Sequence, residues 1–168
     1  MLFRSRRRHS VRVLGVDPGT SVTGYGVIEA GNGSSGMGRL VECGVIRLAG
    51  RSPLPRRLHA LHEQIAELIT RHHPGILALE NAFYHKNVHT TLVLGHARGV
   101  VLLAAAQAGL TIAEYAPATI KKTVVGAGGA PKAQVGRMVA RLLRLKDAPR
   151  PADAADGVAV ALTHILRS

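Results

Sequence analysis

The chain has 168 residues, 46% of them apolar, which is enough for one domain with a hydrophobic core and too short for two large lobes. Its 22 Lys and Arg against 10 Asp and Glu give a formal net charge of +12, which indicates a polyanionic partner, most commonly nucleic acid. A single cysteine, Cys43, excludes a disulfide framework and favours a reducing, cytoplasmic location. The longest uninterrupted apolar run, 99–106, is far shorter than the roughly 20 residues that cross a bilayer, so we expect no membrane partner.

The pattern of apolar residues predicts an α/β domain in which three strands are followed by alternating helices and strands. The predicted strands cover residues 11–17, 23–29, 40–48, 76–80 and 111–115. The predicted helices run from 53 to the residue before Pro74, over 88–108, through 121–122, over 131–145 and from 151 onward. This order favours a five-stranded mixed sheet, with three antiparallel strands followed by two parallel ones and helices on both faces.

The helix predicted over 88–108 is apolar around most of its circumference in its second half. Such a helix is either covered on all sides by its own domain or buried in a subunit interface.

Four carboxylates occupy comparable positions. Asp17 and Glu80 each end a predicted strand, while Asp153 and Asp156 are three residues apart and so share one face of the last helix. If that helix packs across the strand ends, all four meet, and a divalent cation would relieve their repulsion. An all-oxygen donor set favours Mg²⁺ or Mn²⁺ over zinc, and a pair of such ions suits hydrolysis of a phosphodiester.

Three of these acids also have a simpler interpretation. Asp17 precedes Pro-Gly, which is typical of a turn, and Asp153 and Asp156 complement the dipole at a helix N-terminus. His164 lies eleven residues beyond Asp153, or roughly 16 Å along the helix axis. It is therefore too far away to be a ligand of the same ion.

Several separated motifs resemble one known family, the RuvC crossover junction endodeoxyribonucleases, from about residue 11 to the end. They are Gly-Val-Asp-Pro-Gly-Thr at 15–20, Thr-Gly-Tyr-Gly at 23–26, Leu-Glu-Asn-Ala-Phe-Tyr-His-Lys-Asn at 79–87, Gly-His-Ala-Arg-Gly at 95–99, Lys-Thr-Val-Val-Gly at 122–126 and Ala-Asp-Ala-Ala-Asp-Gly at 152–157. The resemblance implies an RNase H-like fold, a homodimer and metal-dependent cleavage of Holliday junctions by paired nicks in strands of like polarity. It also implies two Mg²⁺ ions per subunit, with Mn²⁺ as a substitute.

The same resemblance implies roles for individual residues. The residues that match the family's metal-binding carboxylates are Asp17, Glu80, Asp153 and Asp156. Asp17 is the candidate to bridge both ions. Lys132 and Lys121 match basic residues at the scissile phosphate and its flanks, with Lys122 as a nearby phosphate contact and an alternative to Lys121. Phe83 matches an aromatic residue that stacks on bases at the junction centre, a contact worth roughly 1–3 kcal/mol per base.

The resemblance further places the dimer contact on the helix that starts near Val88 and suggests a branch-migration motor as a partner. Residues 1–10 form an extra basic arm, expected to be disordered, which is either a DNA-contacting tail or the product of a misassigned start codon. The remaining 11–168 are predicted to be a single nuclease domain.

Two other functions compete with this one. Asp-Pro-Gly-Thr at 17–20 also resembles the phosphate loop of actin-like and sugar-kinase ATPases, but those proteins need two lobes around the nucleotide. A protein that binds branched DNA without cutting it is the second alternative. The four acids argue against it, because negative charge facing phosphates weakens DNA binding.

Overall fold

The computed structural model of the chain describes residues 10–31, 36–82 and 86–168. Nine residues of the basic arm, and Phe83, therefore lie outside the described residues. The strands are β1 (Arg12–Asp17), β2 (Val22–Glu29), β3 (Arg39–Arg47), β4 (Ile76–Glu80) and β5 (Thr111–Tyr115). The helices are α1 (Leu54–His72), α2 (Val88–Gln107), α3 (Pro117–Val125), α4 (Lys132–Leu142) and α5 (Ala152–Arg167).

The five strands form one mixed sheet in the order β3-β2-β1-β4-β5. The pairs β1·β2 and β2·β3 are antiparallel, whereas β1·β4 and β4·β5 are parallel. Val16 pairs with Leu79, so that the next residues, Asp17 and Glu80, end neighbouring parallel strands at the same edge. The predicted mixed sheet is confirmed.

Both faces of the sheet are covered by helices because successive residues of a strand point to opposite faces. On one face, Leu14 and Val16 of β1 pack with buried residues of α1 and α2, such as Leu61 and Val101. On the other face, Val13 packs with buried residues of α3, α4 and α5. A central strand with both faces buried accounts for the nearly continuous apolar run of β1.

Glycines let α5 lie directly on β2, the strand that pairs with β1. A Cβ on Gly157 would come within 2.5 Å of the Tyr25 backbone, and one on Gly24 would collide with the backbone of Asp153. Any larger residue at either position would push α5 away from the sheet. This close contact brings the acids of α5 to the edge where β1 and β4 end.

Helix α2 is covered on one face only. Val93, Ala97 and Val101 are buried, whereas Val88 and Leu92 are 74% and 59% exposed. The prediction that the domain covers α2 on all sides is therefore wrong, and burial in a subunit interface stays a prediction. By length and composition alone α2 could also cross a membrane, a test that core helices of soluble proteins pass as well, so the absence of a membrane partner stays a prediction.

Candidate active site

The centre of the site is a pair of carboxyl groups at the ends of β1 and β4. The side chains of Asp17 and Glu80 are hydrogen-bonded to each other, which requires that one of them carry a proton. They open into a cleft of about 150 Å³. The residues that line this cleft are Asp17, Glu80, Pro117, Ile120, Lys121, Lys132, Val135, Asp156 and Ala159.

The proton lies on Asp17. Burial, followed by the negative charges of Glu80 and Asp156, raises the pKa of Asp17 from 3.8 to about 8. The pKa of Glu80 is also raised, chiefly by burial, but the hydrogen bond from Asp17 lowers it. Without a bound cation, the Asp17 carboxyl is therefore protonated at neutral pH and donates to Glu80.

Helix α5 supplies a third carboxylate, Asp156, and helix α4 supplies a cation, Lys132. Nζ of Lys132, the first residue of α4, donates a hydrogen bond of 2.8 Å to Oδ2 of Asp156. This hydrogen bond is the main reason that the pKa of Lys132 is raised. The same nitrogen lies 4.0 Å from Oδ1 of Asp153.

The two acids of α5 are not equivalent. The Asp156 side chain is 13% exposed and lines the cleft, whereas that of Asp153 is 45% exposed and does not. Asp17, Glu80 and Asp156 are therefore brought together, and Asp153 lies at the rim.

The two neighbouring lysines of α3 also differ. Lys121 is half-buried and lines the cleft, whereas Lys122 is exposed and does not line it. The geometry thus favours Lys121 over Lys122 as the lysine that faces the carboxylates. The predicted stacking residue, Phe83, lies outside the described residues.

These donors fit a hard divalent cation by their chemistry, since they are carboxylates with no thiol or imidazole among them. A buried acid that keeps its proton to relieve repulsion is a place where a cation would be favoured instead. The side chains are not arranged as a closed cage, however, because in the described part of the chain no three His, Cys, Asp or Glu side chains are placed to hold one ion. The Lys132 ammonium group instead neutralises Asp156.

Sequence reasoning did not assign a role to Arg98, although it belongs to the Gly-His-Ala-Arg-Gly motif. Arg98 lines a small gap behind the carboxyl pair with Asp17 and Glu80. Its Nη2 donates a 2.6 Å hydrogen bond to Oε2 of Glu114. This ion pair ties α2 to β5 next to the site.

His164 is engaged elsewhere. Its Nδ1 lies 2.8 Å from the hydroxyl of Tyr115, and His164 is absent from the residues that line the cleft. His164 therefore lies outside the cleft lining, and its exclusion as a ligand stays a prediction.

Comparison with known proteins decides the family. Residues 13–164 match the family model described as crossover junction endodeoxyribonuclease RuvC. The chain is 50% identical over 153 residues to the protein of that name from Halorhodospira halophila, a match that covers 91% of this chain and 89% of the relative. The chain belongs to the RuvC family. The family consists of metal-dependent nucleases.

Other RuvC proteins are similar over nearly their full length. The protein from Pelotomaculum thermopropionicum is 48% identical, over 90% of this chain and 91% of the relative. The solved structure of Thermus thermophilus RuvC superposes with a TM-score of 0.85 at 34% identity, covering 93% of this chain and 94% of that one. The same RuvC has been solved in complex with Holliday junction substrate, with a TM-score of 0.83, 33% identity and the same coverage.

Proposed function

We propose that this chain is a Holliday junction resolvase that hydrolyses phosphodiester bonds in paired, symmetric nicks during DNA recombination and repair. One observation carries the proposal: Asp17, Glu80 and Asp156 meet Lys121 and Lys132 in a single cleft. Acids that attract cations, beside lysines that attract phosphate, form an environment suited to phosphodiester hydrolysis. The RuvC of T. thermophilus has been solved with Holliday junction substrate, and its structure matches 93% of this chain.

Each side chain has a proposed task. Asp17 and Glu80, joined by Asp156 and by Asp153 at the rim, would hold two Mg²⁺ ions, with Asp17 as the candidate ligand of both and Mn²⁺ as a substitute. When bound, such ions would activate water and stabilise the leaving oxygen. Asp17 would have to lose its proton before binding a cation, and the ammonium group of Lys132 would repel a cation that approaches Asp156.

Lys132 would contact the scissile phosphate. An ammonium group on a flexible side chain presents three donors that can turn from a carboxylate to a phosphate oxygen. Lys121, which also lines the cleft, would contact the same phosphate or its neighbour, and the exposed Lys122 a phosphate further along the strand. Phe83 would stack on bases at the junction centre.

Two symmetric nicks require two copies of the site, and α2 offers a surface for a homodimer. Its exposed face carries Val88, Leu92 and Leu103, with Gly95 and Gly99 on the same side. These five positions follow helical spacing and form one stripe, and exposed apolar stripes of this kind are typical of protein interfaces. We assign the dimer contact to this stripe.

The setting of the reaction follows from the same reasoning. A net charge of +12 favours DNA, and the sole cysteine, without a disulfide partner, favours the cytoplasm. A branch-migration motor is the proposed partner that delivers junctions. The basic arm at 1–10 would add sequence-independent DNA affinity.

The experiment that tests this function is cleavage of a labelled four-way junction beside a linear duplex of the same sequence, with Mg²⁺, with Mn²⁺ and with a chelator. We expect symmetric nicks in the junction alone and only with metal. Tight junction binding without cleavage under either metal would instead support the alternative of a non-cleaving branched-DNA binder. The ATPase alternative is not favoured, because the chain aligns with RuvC proteins over about nine-tenths of its length.

A further inference from the structure

A second cleft, of about 200 Å³, lies between the loop after β1 and the first turns of α1 and α2. Most of its lining is polar, and none of the residues that line it is acidic. They are Thr20, Ser21, Arg57, His89, Thr90 and Val93. Nothing in the proposed catalytic role uses this cleft.

Arg57 gives the cleft its charge. One Nη of Arg57 donates to the backbone carbonyl of Thr20, which holds the guanidinium against the loop. Its Nε is buried and has no hydrogen-bond partner within the described ranges. No carboxylate in those ranges forms an ion pair with Arg57 either. A buried, unpaired N–H on a cation is costly unless a ligand accepts from it.

The surrounding groups suit a tetrahedral oxyanion. Thr20, Ser21 and Thr90, whose side chains carry hydroxyl groups, line the cleft together with Arg57, and hydroxyls with a charged guanidinium are typical phosphate contacts. Helix α1, on which Arg57 lies, has no acidic residue in its first turn, and neither does α2. A negative charge in this cleft would therefore meet donors and no acidic residue in the lining.

The position of the cleft fits a DNA ligand. Thr20 follows Asp17 by three residues, so the two α-carbons are at most roughly 11 Å apart. Contact with Arg57 requires that a nucleic acid bound at the carboxylates also extend to this cleft, which Thr20 lines.

We propose that this second cleft binds a backbone phosphate of the junction other than the scissile one, with Arg57 as its anchoring cation. The inference rests on the proposed junction-cleaving function and adds a site that fixes how an arm lies across the catalytic cleft. Arg57 is a positioning residue, since it acts on the register of the DNA and touches no reacting atom.

The test pairs two neighbouring arginines. Arg57→Gln removes the charge inside the cleft, and Arg56→Gln removes the same charge from an exposed position that does not line it. With a chelator present, we expect Arg57→Gln to weaken junction binding about tenfold, the effect of one charge-assisted hydrogen bond, and to reduce the salt dependence of binding by about one phosphate. Arg56→Gln should stay within about twofold. Arg57→Lys, which keeps the charge and can still donate to Thr20, should recover most of the affinity.

The phosphate itself is identified with junctions that carry one neutral methylphosphonate at each backbone position in turn. For the wild type, we expect one non-scissile position where neutralisation costs about tenfold in affinity. In Arg57→Gln, a methylphosphonate at that position should no longer weaken junction binding, while its effect at every other position should be unchanged. Circular dichroism of both variants checks that they are folded.

The outcomes separate the two proposals. If the wild type does not cleave junctions selectively, the proposed function fails. If it cleaves, but Arg57→Gln and Arg56→Gln bind alike and no methylphosphonate position loses its effect in Arg57→Gln, the phosphate site is wrong. Binding of inorganic phosphate at Arg57, seen by NMR of its Nε–H without coupling to any DNA position, would assign the cleft to a small phosphorylated ligand and overturn the inference.

Discussion

Nζ of Lys132 lies 2.8 Å from Oδ2 of Asp156, and both side chains line the cleft that contains Asp17 and Glu80. A cation that binds Asp156 must compete with this ammonium group. We therefore expect Lys132 to oppose metal binding at Asp156 and, through contact with the phosphate, to assist cleavage, two effects that experiments can separate.

Replacement of Lys132 by Met should change metal binding and cleavage in opposite directions. Mg²⁺ or Mn²⁺ affinity should rise several-fold because the competing charge is gone, while cleavage falls by about 10² because the phosphate loses a positioned cation. Titration calorimetry with Mn²⁺ and junction cleavage measure the two effects. The exposed Lys146, changed to Met, is the matched control and should alter neither. A Lys132→Met protein with weaker metal binding would contradict the competition.

Replacement of Asp17 by Asn should separate binding from chemistry. The amide keeps the shape of the side chain but is a poorer ligand, so junction affinity measured with a chelator should stay within a few-fold while cleavage falls by about 10³ or more. Asp147→Asn, at an exposed position outside the cleft, should cleave normally. Normal cleavage by Asp17→Asn would remove Asp17 from the mechanism.

The raised pKa of Asp17 makes the stability of the metal-free protein depend on pH. Between pH 3.8 and about pH 8, the folded state holds a proton on Asp17 that the unfolded state has lost. The contribution of Asp17 to stability is therefore greatest below pH 3.8 and is lost as the pH rises through about 8. A pKa shift of one unit corresponds to about 1.4 kcal/mol. We therefore expect ionisation of Asp17 to lower the free energy of unfolding by several kcal/mol over this pH range.

Urea denaturation with a chelator at pH 5.5, 7 and 8.5 measures this effect. Asp17→Asn cannot ionise, so its stability should vary less over the same range and exceed that of the wild type at pH 8.5. Added Mg²⁺ should remove most of the difference. A wild type whose pH profile matches that of Asp17→Asn would show that Asp17 titrates normally.

The sequence predicted the sheet well because its signals are local. The apolar run of β1 ending in Asp17, the helical spacing of 54–68 and the proline before α5 each specify one element. The convergence of Asp17, Glu80 and Asp156 required tertiary information, namely the contact of Gly157 with Tyr25. The hydrogen bond between Lys132 and Asp156, and the outward position of Asp153, depend on how side chains pack between helices, which no spacing rule encodes.

The α2 stripe predicts self-association that depends on apolar contact. Leu103→Glu should place a charge in the interface and weaken dimerisation by at least about 10-fold, as measured by sedimentation equilibrium. Val11→Glu, at another exposed apolar residue that is 47% accessible, is the matched control and should leave the association constant unchanged. Equal association of the two variants would show that the dimer contact lies elsewhere.

The contact between α5 and β2 predicts a structural variant that also damages the site. Gly157→Ala places a methyl group 2.5 Å from the Tyr25 backbone, which must push α5 outward and cost about 1–3 kcal/mol in the free energy of unfolding. Because Asp156 is the adjacent residue, the same shift should draw it from Asp17 and reduce cleavage more than tenfold. Gly136→Ala in α4 is the control, since its methyl would meet only ordinary contacts at 3.6 Å and 3.8 Å and should add about 0.5–1 kcal/mol of helix stability. Urea denaturation and junction cleavage compare the two, and a Gly157→Ala protein as stable and active as Gly136→Ala would mean that α5 is not held against the strands at this point.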